Sequence, residues 1–312
     1  MTALEQHILD VIQDAFPLEE RPYHVLADVL NGRGVGEGVS EQQVFEAVES
    51  LRNSGIIRRL GGIYDSHRLG FISRLCAGKV ADIAKFAAAV DEIPAITHNY
   101  VRSHEYNIWF TVIDENEAEV QKIVDGLCSA SDLHDVHVLS VTKKFKIDTV
   151  MTRGPRSTVA AAPVGTSQKS LSLSDRTRIH TACGDMPHTL TPFKDWGVSV
   201  EELRNDIAGG FMRRFGAILR HQDAGFAYNA MVCFNAPAVA GDLLAKKSFV
   251  SHCYERPAFD GFPYMLYAMM HAQSSEDLQR FINEAAASIG NPDYAVLHSV
   301  RELKKTSYRF FA

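Results

Sequence analysis

No apolar stretch in this 312-residue chain approaches the roughly 20 residues that a membrane span requires, so no part of it is expected to cross a bilayer. Its start, MTALEQHILD, carries acidic residues where an export signal would place a basic and then an apolar run, and a cytoplasmic location is the expectation. The five cysteines (Cys76, Cys128, Cys183, Cys233, Cys253) are odd in number and never form a C-x-x-C pair, which argues against a disulfide framework or a structural zinc site and leaves them as buried apolar residues. A glycine-rich nucleotide loop and a lysine motif of the pyridoxal-phosphate kind are also absent. Positive charge is not in excess: a net charge of -6 argues against bulk attraction to nucleic acid, though local basic surfaces remain compatible with it. What is present, 46% apolar and 22% charged residues, is the balance of a globular protein, at a length that suits two to four compact units.

The chain is a duplication. IRRLGGIYDSHRLGF at 57–71 aligns without a gap with MRRFGAILRHQDAGF at 212–226, an offset of 212 − 57 = 155. ITHNYVR at 96–102 matches VSHCYER at 250–256, which aligns His98, Tyr100 and Arg102 with His252, Tyr254 and Arg256. After a short insertion in the second copy, YNIWFTV at 106–112 meets PYMLYAM at 263–269, and VLSVTKKFK at 138–146 meets VLHSVRELK at 296–304. Between the copies, TRGPRSTVAAAPVGTSQKS has no apolar period and reads as a linker over 152–171.

Within each copy the pattern divides again. Residues 4–16 and 22–31 carry apolar side chains at helical spacing, Ser40 is placed to cap a third helix, EQQVFEAVESLRNSG, and Gly55 stops it before the strand-like IIRRLGGIYD. Three helices and a hairpin predict a winged helix-turn-helix over 1–62. The second copy's third helix, capped by Ser199 and running through VEELRNDIAGG, is about a turn shorter, so the winged helix over 172–217 reads as degenerate. Beyond the wing, RLCAGKV, AITHNYVR, NIWFTVI and VHVLSVT read as strands, while ADIAKFAAAVDEI and ENEAEVQKIVDGLCSA read as helices, giving β-α-β-β-α-β over 63–151. NAMVCFN, a helix around 238–247, VSHCYER, YMLYAMMHA, SEDLQRFINEAAASI and YAVLHSV repeat it over 218–312. The expected fold class is α+β, a tandem duplication of a winged helix-turn-helix plus a ferredoxin-like domain, forming an internal pseudo-dimer.

The H-x-Y-x-R spacing puts His98, Tyr100 and Arg102 on one face of a strand, and His252, Tyr254 and Arg256 likewise. Burying an unpaired arginine under helices would cost on the order of several kcal/mol, so the triplets belong on the sheet face that helices leave uncovered. Two such faces could enclose a ligand; equally, the triplets could satisfy one another at an interface between the copies. Cations gather in Arg58-Arg59, Arg213-Arg214, Lys143-Lys144-Lys146, Arg220, and Arg301 with Lys304-Lys305. Such a set suits a small molecule with several carboxylates, the other reading being a solvated basic rim. His221 and His271 have no counterpart in the first copy; each could ligate a metal or donate a proton, or simply pack. Trp109, Tyr264 and Tyr267 offer flat surface for a macrocycle, with core packing as the alternative. Both third helices are net negative, with Glu41, Glu46 and Glu49 against Arg52, and Glu201, Glu202 and Asp206 against Arg204, which argues against DNA binding.

Taken together, these motifs resemble the siroheme decarboxylases, relatives of the Lrp/AsnC regulators. IRRLGGIYDSHRLGF, THNYVR and YNIWFT are similar to one subunit type, and MRRFGAILRH, NAMVCF, CYERP and YAMMHA to the other, as if two subunits were fused. Two departures stand out: the shortened third helix, and Leu266-Tyr267 where the first copy has Trp109-Phe110. The resemblance implies removal of the C12 and C18 acetate carboxyl groups of siroheme to give 12,18-didecarboxysiroheme, on the route to haem d1 or, by an alternative route, to haem, with no cofactor beyond the iron that the substrate carries. For such a reaction Arg58, Arg59, Arg102, Arg213, Arg214 and Arg256 are the expected anchors of the non-reacting carboxylates, with Lys146, Arg220 and Lys304 beside them. A histidine would protonate the carbon left behind or ligate the iron, His98 first and His221, His252 or His271 as alternatives. A ligand-sensing transcriptional regulator and a non-catalytic tetrapyrrole carrier are the rival readings, told apart by a salt-dependent shift of promoter DNA and by product analysis.

Overall fold

The computed structural model describes residues 1–35, 38–147, 171–219 and 228–312. The expected linker, save Leu171, and the candidate residues Arg220 and His221 lie outside them. In the first copy the elements run α1 (Ala3–Ile12), α2 (Pro22–Gly32), α3 (Glu41–Asn53), β1 (Ile57–Tyr64), β2 (Ile72–Lys79), α4 (Ile83–Asp91), β3 (Ile96–Arg102), β4 (Ile108–Asp114), α5 (Glu117–Ala130), β5 (His134–Leu139) and β6 (Lys143–Ile147). The second copy follows with α6 (Leu173–Ala182), α7 (Pro192–Trp196), α8 (Val200–Ala208), β7 (Met212–Leu219), β8 (Tyr228–Phe234), α9 (Val239–Ala245), β9 (Val250–Glu255), β10 (Leu266–Ala272), α10 (Ser275–Ser288) and β11 (Tyr294–Lys305). Local chemistry sets the ends. Ser40 and Gln43 form a reciprocal capping box at the start of α3, whose buried stripe is Val44, Val48 and Leu51, and Ser199 caps the shorter α8.

The chain divides into two compact units, each drawn from both copies: Met1–Leu69 with Val150–Ala224 and Arg309–Ala312, and Gly70–Thr149 with Gly225–Tyr308. In the first unit the expected wing hairpin does not form within a copy. Instead β1 pairs antiparallel with its own duplicate β7, centred on Gly61 facing Gly216. A strand and its duplicate satisfy each other's ladder, and the helices dock reciprocally: Phe16 N donates to Phe215 O at 2.9 Å, and Met186 N to Leu60 O at 2.7 Å. A Cβ on Gly61 would strike the carbonyl of Gly184, and one on Gly216 the carbonyl of Ile12, so this close approach requires glycine on both strands.

The second unit holds a nine-stranded sheet in the order β5-β2-β4-β3-β11-β8-β10-β9-β6. It contains two ferredoxin-like β-α-β-β-α-β sets, β2 to β5 and β8 to β11, each with its helices on one face. Phe86, Phe110, Val120 and Leu127 pack under the first set and Leu244, Leu266, Leu278 and Ile282 under the second. The copies exchange their tails: β6 adds to β9, while β11 pairs with β8 through its first part and with β3 through its second. On the faces without helices, Trp109, Leu139, Met231, Cys233, Phe262, Tyr267 and Leu297 form a third buried cluster. Four of the five cysteines are buried and Cys128 is half-buried.

The ladder corrects one detail of the internal alignment. Trp109 stands across from Tyr100, and it is Tyr267, not Leu266, that stands across from Tyr254. The insertion in the second copy is therefore one residue longer than the aligned letters suggest. Because strand side chains alternate, that single step moves Leu266 onto the helix side and brings Tyr267 beside Trp109, ring centroids 6.2 Å apart.

Candidate active site

The two triplets sit on the helix-free faces of the second unit. Tyr100 shares its face with Trp109, and Tyr254 shares its face with Tyr267. Just before each histidine the ladder slips by one residue, at Thr97 and at Ser251, and such a bulge re-aims a side chain. The Thr97 hydroxyl thereby meets His98 Nδ1 at 2.9 Å, and the Ser251 hydroxyl meets His252 Nδ1 at 2.9 Å. Ser251 Oγ also reaches His271 Nε2 at 3.1 Å.

Both arginines are buried, Arg102 5% and Arg256 8% exposed. Arg102 donates from one terminal nitrogen to Leu297 O at 3.2 Å and Ser299 Oγ at 2.7 Å, and the other lies 3.9 Å from Met269 Sδ. Arg256 donates to Leu139 O at 2.8 Å. Each guanidinium lies over the tyrosine of its own triplet, 4.8 Å from the Tyr100 ring and 5.2 Å from the Tyr254 ring. Among the described residues no carboxylate pairs with either, and the Nε of each has no hydrogen-bond partner. Burial pulls the Arg102 guanidinium down to about 10 and lowers Arg256 as well. Two cations kept dry without counter-charges are costly unless an acidic ligand supplies one.

The other expected residues are placed differently. Arg58, Arg59, Arg213 and Arg214 belong to the first unit. Arg59 donates to Cys183 O at 2.7 Å and Gly184 O at 2.9 Å, and its duplicate Arg214 to Gln13 O, so each closes the C-terminus of the other copy's first helix. Arg58 is half-buried, and Arg213 pairs with Asp65 at 3.1 Å. Lys304 turns to the helix side and bonds Val90 O and Ile93 O at 2.8 and 2.9 Å at the end of α4; its duplicate Lys146 bonds Lys247 O at 2.9 Å beyond α9. Trp109 is buried with its Nε1 donating to Tyr106 O at 2.7 Å, and Tyr264 is half-buried against Phe262. Among the described residues no three His, Cys, Asp or Glu side chains are gathered as a protein-held metal would need, and no helix is long and apolar enough to cross a membrane.

Thr97, Ser251, Asn229 and Ser299 join the site without having been singled out in the sequence. The signal was a hydroxyl residue directly before each histidine of the duplicated motif, T-H-N-Y-V-R and S-H-C-Y-E-R.

Comparison with known proteins decides the family. Residues 68–146 and 223–304 match the AsnC-like ligand binding domain, and residues 5–58 match the siroheme decarboxylase NirDL-like HTH domain. A siroheme decarboxylase of Hydrogenobacter thermophilus is 30% identical, over 98% of this chain and 94% of that one. The chain belongs to the siroheme decarboxylase family. The siroheme decarboxylase alpha subunit of Desulfovibrio desulfuricans is 43% identical over 47% of this chain and 82% of its own length. The crystal structure of the siroheme decarboxylase NirDL in complex with an iron-uroporphyrin III analogue superimposes with a TM-score of 0.69 at 27% identity, covering 99% of this chain and 95% of that one.

Proposed function

We propose that this chain removes the C12 and C18 acetate carboxyl groups of siroheme as CO₂, giving 12,18-didecarboxysiroheme for haem d1 or for an alternative haem route. The observation that carries the reading is the pair of buried guanidiniums, Arg102 and Arg256, without a carboxylate partner among the described residues. Guanidinium forks aimed at the substrate's non-reacting carboxylates would fix its position, so that binding energy spent far from the breaking bond orients the reacting one. In each decarboxylation one C–C bond breaks, CO₂ leaves, and the electron pair stays on the carbon next to the ring, where the tetrapyrrole delocalises it. One proton then completes the methyl group, and no oxidant or reductant is consumed. The histidines of the two triplets, each held at Nδ1 by a hydroxyl, are the proposed proton donors, together with His271. The iron enters with the substrate, and the reaction needs no further cofactor. A cytoplasmic location and a fused pair of halves acting as an internal pseudo-dimer, alone or with further copies, complete the proposal.

Anaerobic incubation of the purified protein with siroheme, followed by mass spectrometry of the extracted tetrapyrrole, tests this. Loss of the mass of two CO₂ is expected, and unchanged siroheme overturns the reading.

A further inference from the structure

We infer that the two pseudo-equivalent polar sites are not equal: the chemistry belongs to the one that joins Arg102 to His252, with Ser251 as a positioning residue between His252 and His271. This rests on the decarboxylase reading and says where in the duplicated unit the reaction runs.

A row of polar side chains runs over five strands, β3, β11, β8, β10 and β9, with hydrogen bonds at both ends and a ladder pair at its middle. Arg102 donates to Ser299 Oγ at 2.7 Å, and Ser299 donates to Asn229 Oδ1 at 2.5 Å. Asn229 stands directly across from His271 in the ladder, His271 meets the Ser251 hydroxyl at 3.1 Å, and that hydroxyl meets His252 at 2.9 Å. Met269 closes the line, touching Arg102 and standing across from His252. The buried cation and the imidazoles therefore line one stretch of the same face, with Met269 in reach of both.

The duplicate positions can be followed one by one through the ladder. Arg256 takes the place of Arg102, Thr97 that of Ser251, His98 that of His252 and Ser73 that of Asn229, but Ile113 stands where His271 does, and Val141, which lies between β5 and β6, stands where Ser299 does in the aligned letters. Neither side chain has a donor or an acceptor. Among the described residues Arg256 is held by the Leu139 carbonyl with no bond to a hydroxyl, and Thr97 bonds one imidazole, that of His98. A hydroxyl has one proton and two lone pairs, so Ser251, which also donates to Met269 O at 3.3 Å, can accept from both imidazoles and hold the two rings together. The proton that completes each methyl group is drawn from this pair, and solvent restores it between turnovers.

The test is CO₂ release and tetrapyrrole product measured against pH, with siroheme affinity titrated by absorbance, in the parent and in matched variants of the two copies. Ser251→Ala and His271→Ile are expected to lower kcat about 100-fold with siroheme still bound, and to alter the pH profile. Ser251→Thr, which installs the duplicate's own hydroxyl residue, is expected to recover most of the loss. Thr97→Ala and His98→Ala are expected to lose at least about 10-fold less than Ser251→Ala and His252→Ala. Equal or larger losses on the Thr97 and His98 side would overturn the assignment. So would a Ser251→Ala defect confined to affinity, or one that Ser251→Thr does not repair. A parent that releases no CO₂ would remove the decarboxylase reading and this assignment with it, whereas an active parent with symmetric variants removes the assignment alone.

Discussion

Two kinds of duplicated residue behave differently. Arg59 and Arg214, or Lys146 and Lys304, bind backbone carbonyls at helix ends and do the same job in both copies. Ser299 and Val141, or His271 and Ile113, have diverged in polarity. A side chain that answers to the backbone is tied to the fold, and the fold was duplicated whole. A side chain that answers to other side chains and a ligand is free to change once one of two sites suffices.

This comparison can be broken most forcefully at the buried arginines. Arg102→Met is expected to lower kcat/KM by about 100-fold or more, the scale of removing a desolvated charge that holds a carboxylate, and Arg256→Met by less. Neither should lower the melting temperature, since losing an uncompensated buried charge relieves its desolvation. Melting losses in both with unchanged kinetics would make the arginines structural. At the paired glycines, Gly61→Val and Gly216→Val should each destabilise the first unit by about 1–3 kcal/mol in thermal unfolding, and by similar amounts. Lys146→Met and Lys304→Met should each cost about 1 kcal/mol of stability; a large inequality would put one of them outside the shared architectural role.

The smallest effect sharpens the comparison through pH. His188, bonded to Tyr23 at 2.9 Å and stacked on Phe45, has Leu18 at its duplicate position. Burial, reinforced by Arg52, lowers its pKa below 6.5. The unfolded chain then takes up the proton first, so the stability due to His188 is complete above about pH 6.5 and declines as pH falls through the folded value. Urea midpoints on either side of that pH should differ less in His188→Phe than in the parent, and an equal difference would remove His188 as a source.

Much of this was legible in the sequence because duplication doubles every signal. The capped third helices, the β-α-β-β-α-β order and the helix-free placement of the H-x-Y-x-R triplets follow from periodicity and spacing that appear twice. Which strand pairs with which is a tertiary choice that neither copy encodes alone, and so the wing hairpin gave way to β1 on β7. Arg59 and Lys304 looked like ligand-binding cations because charge is visible in letters, whereas the carbonyls that claim them come from residues far away in the chain. The role of Ser251 depends on a one-residue slip in the ladder, and aligned letters do not show a bulge.

The exchange of chain ends in the nine-stranded sheet has a topological consequence. With β6 laid on one copy's edge and the far part of β11 on the other's, each half carries a strand in its neighbour's sheet. Cutting the peptide between them would not release two domains. The pieces would stay interwoven like clasped hands, held by both exchanged edges as well as by β1 on β7.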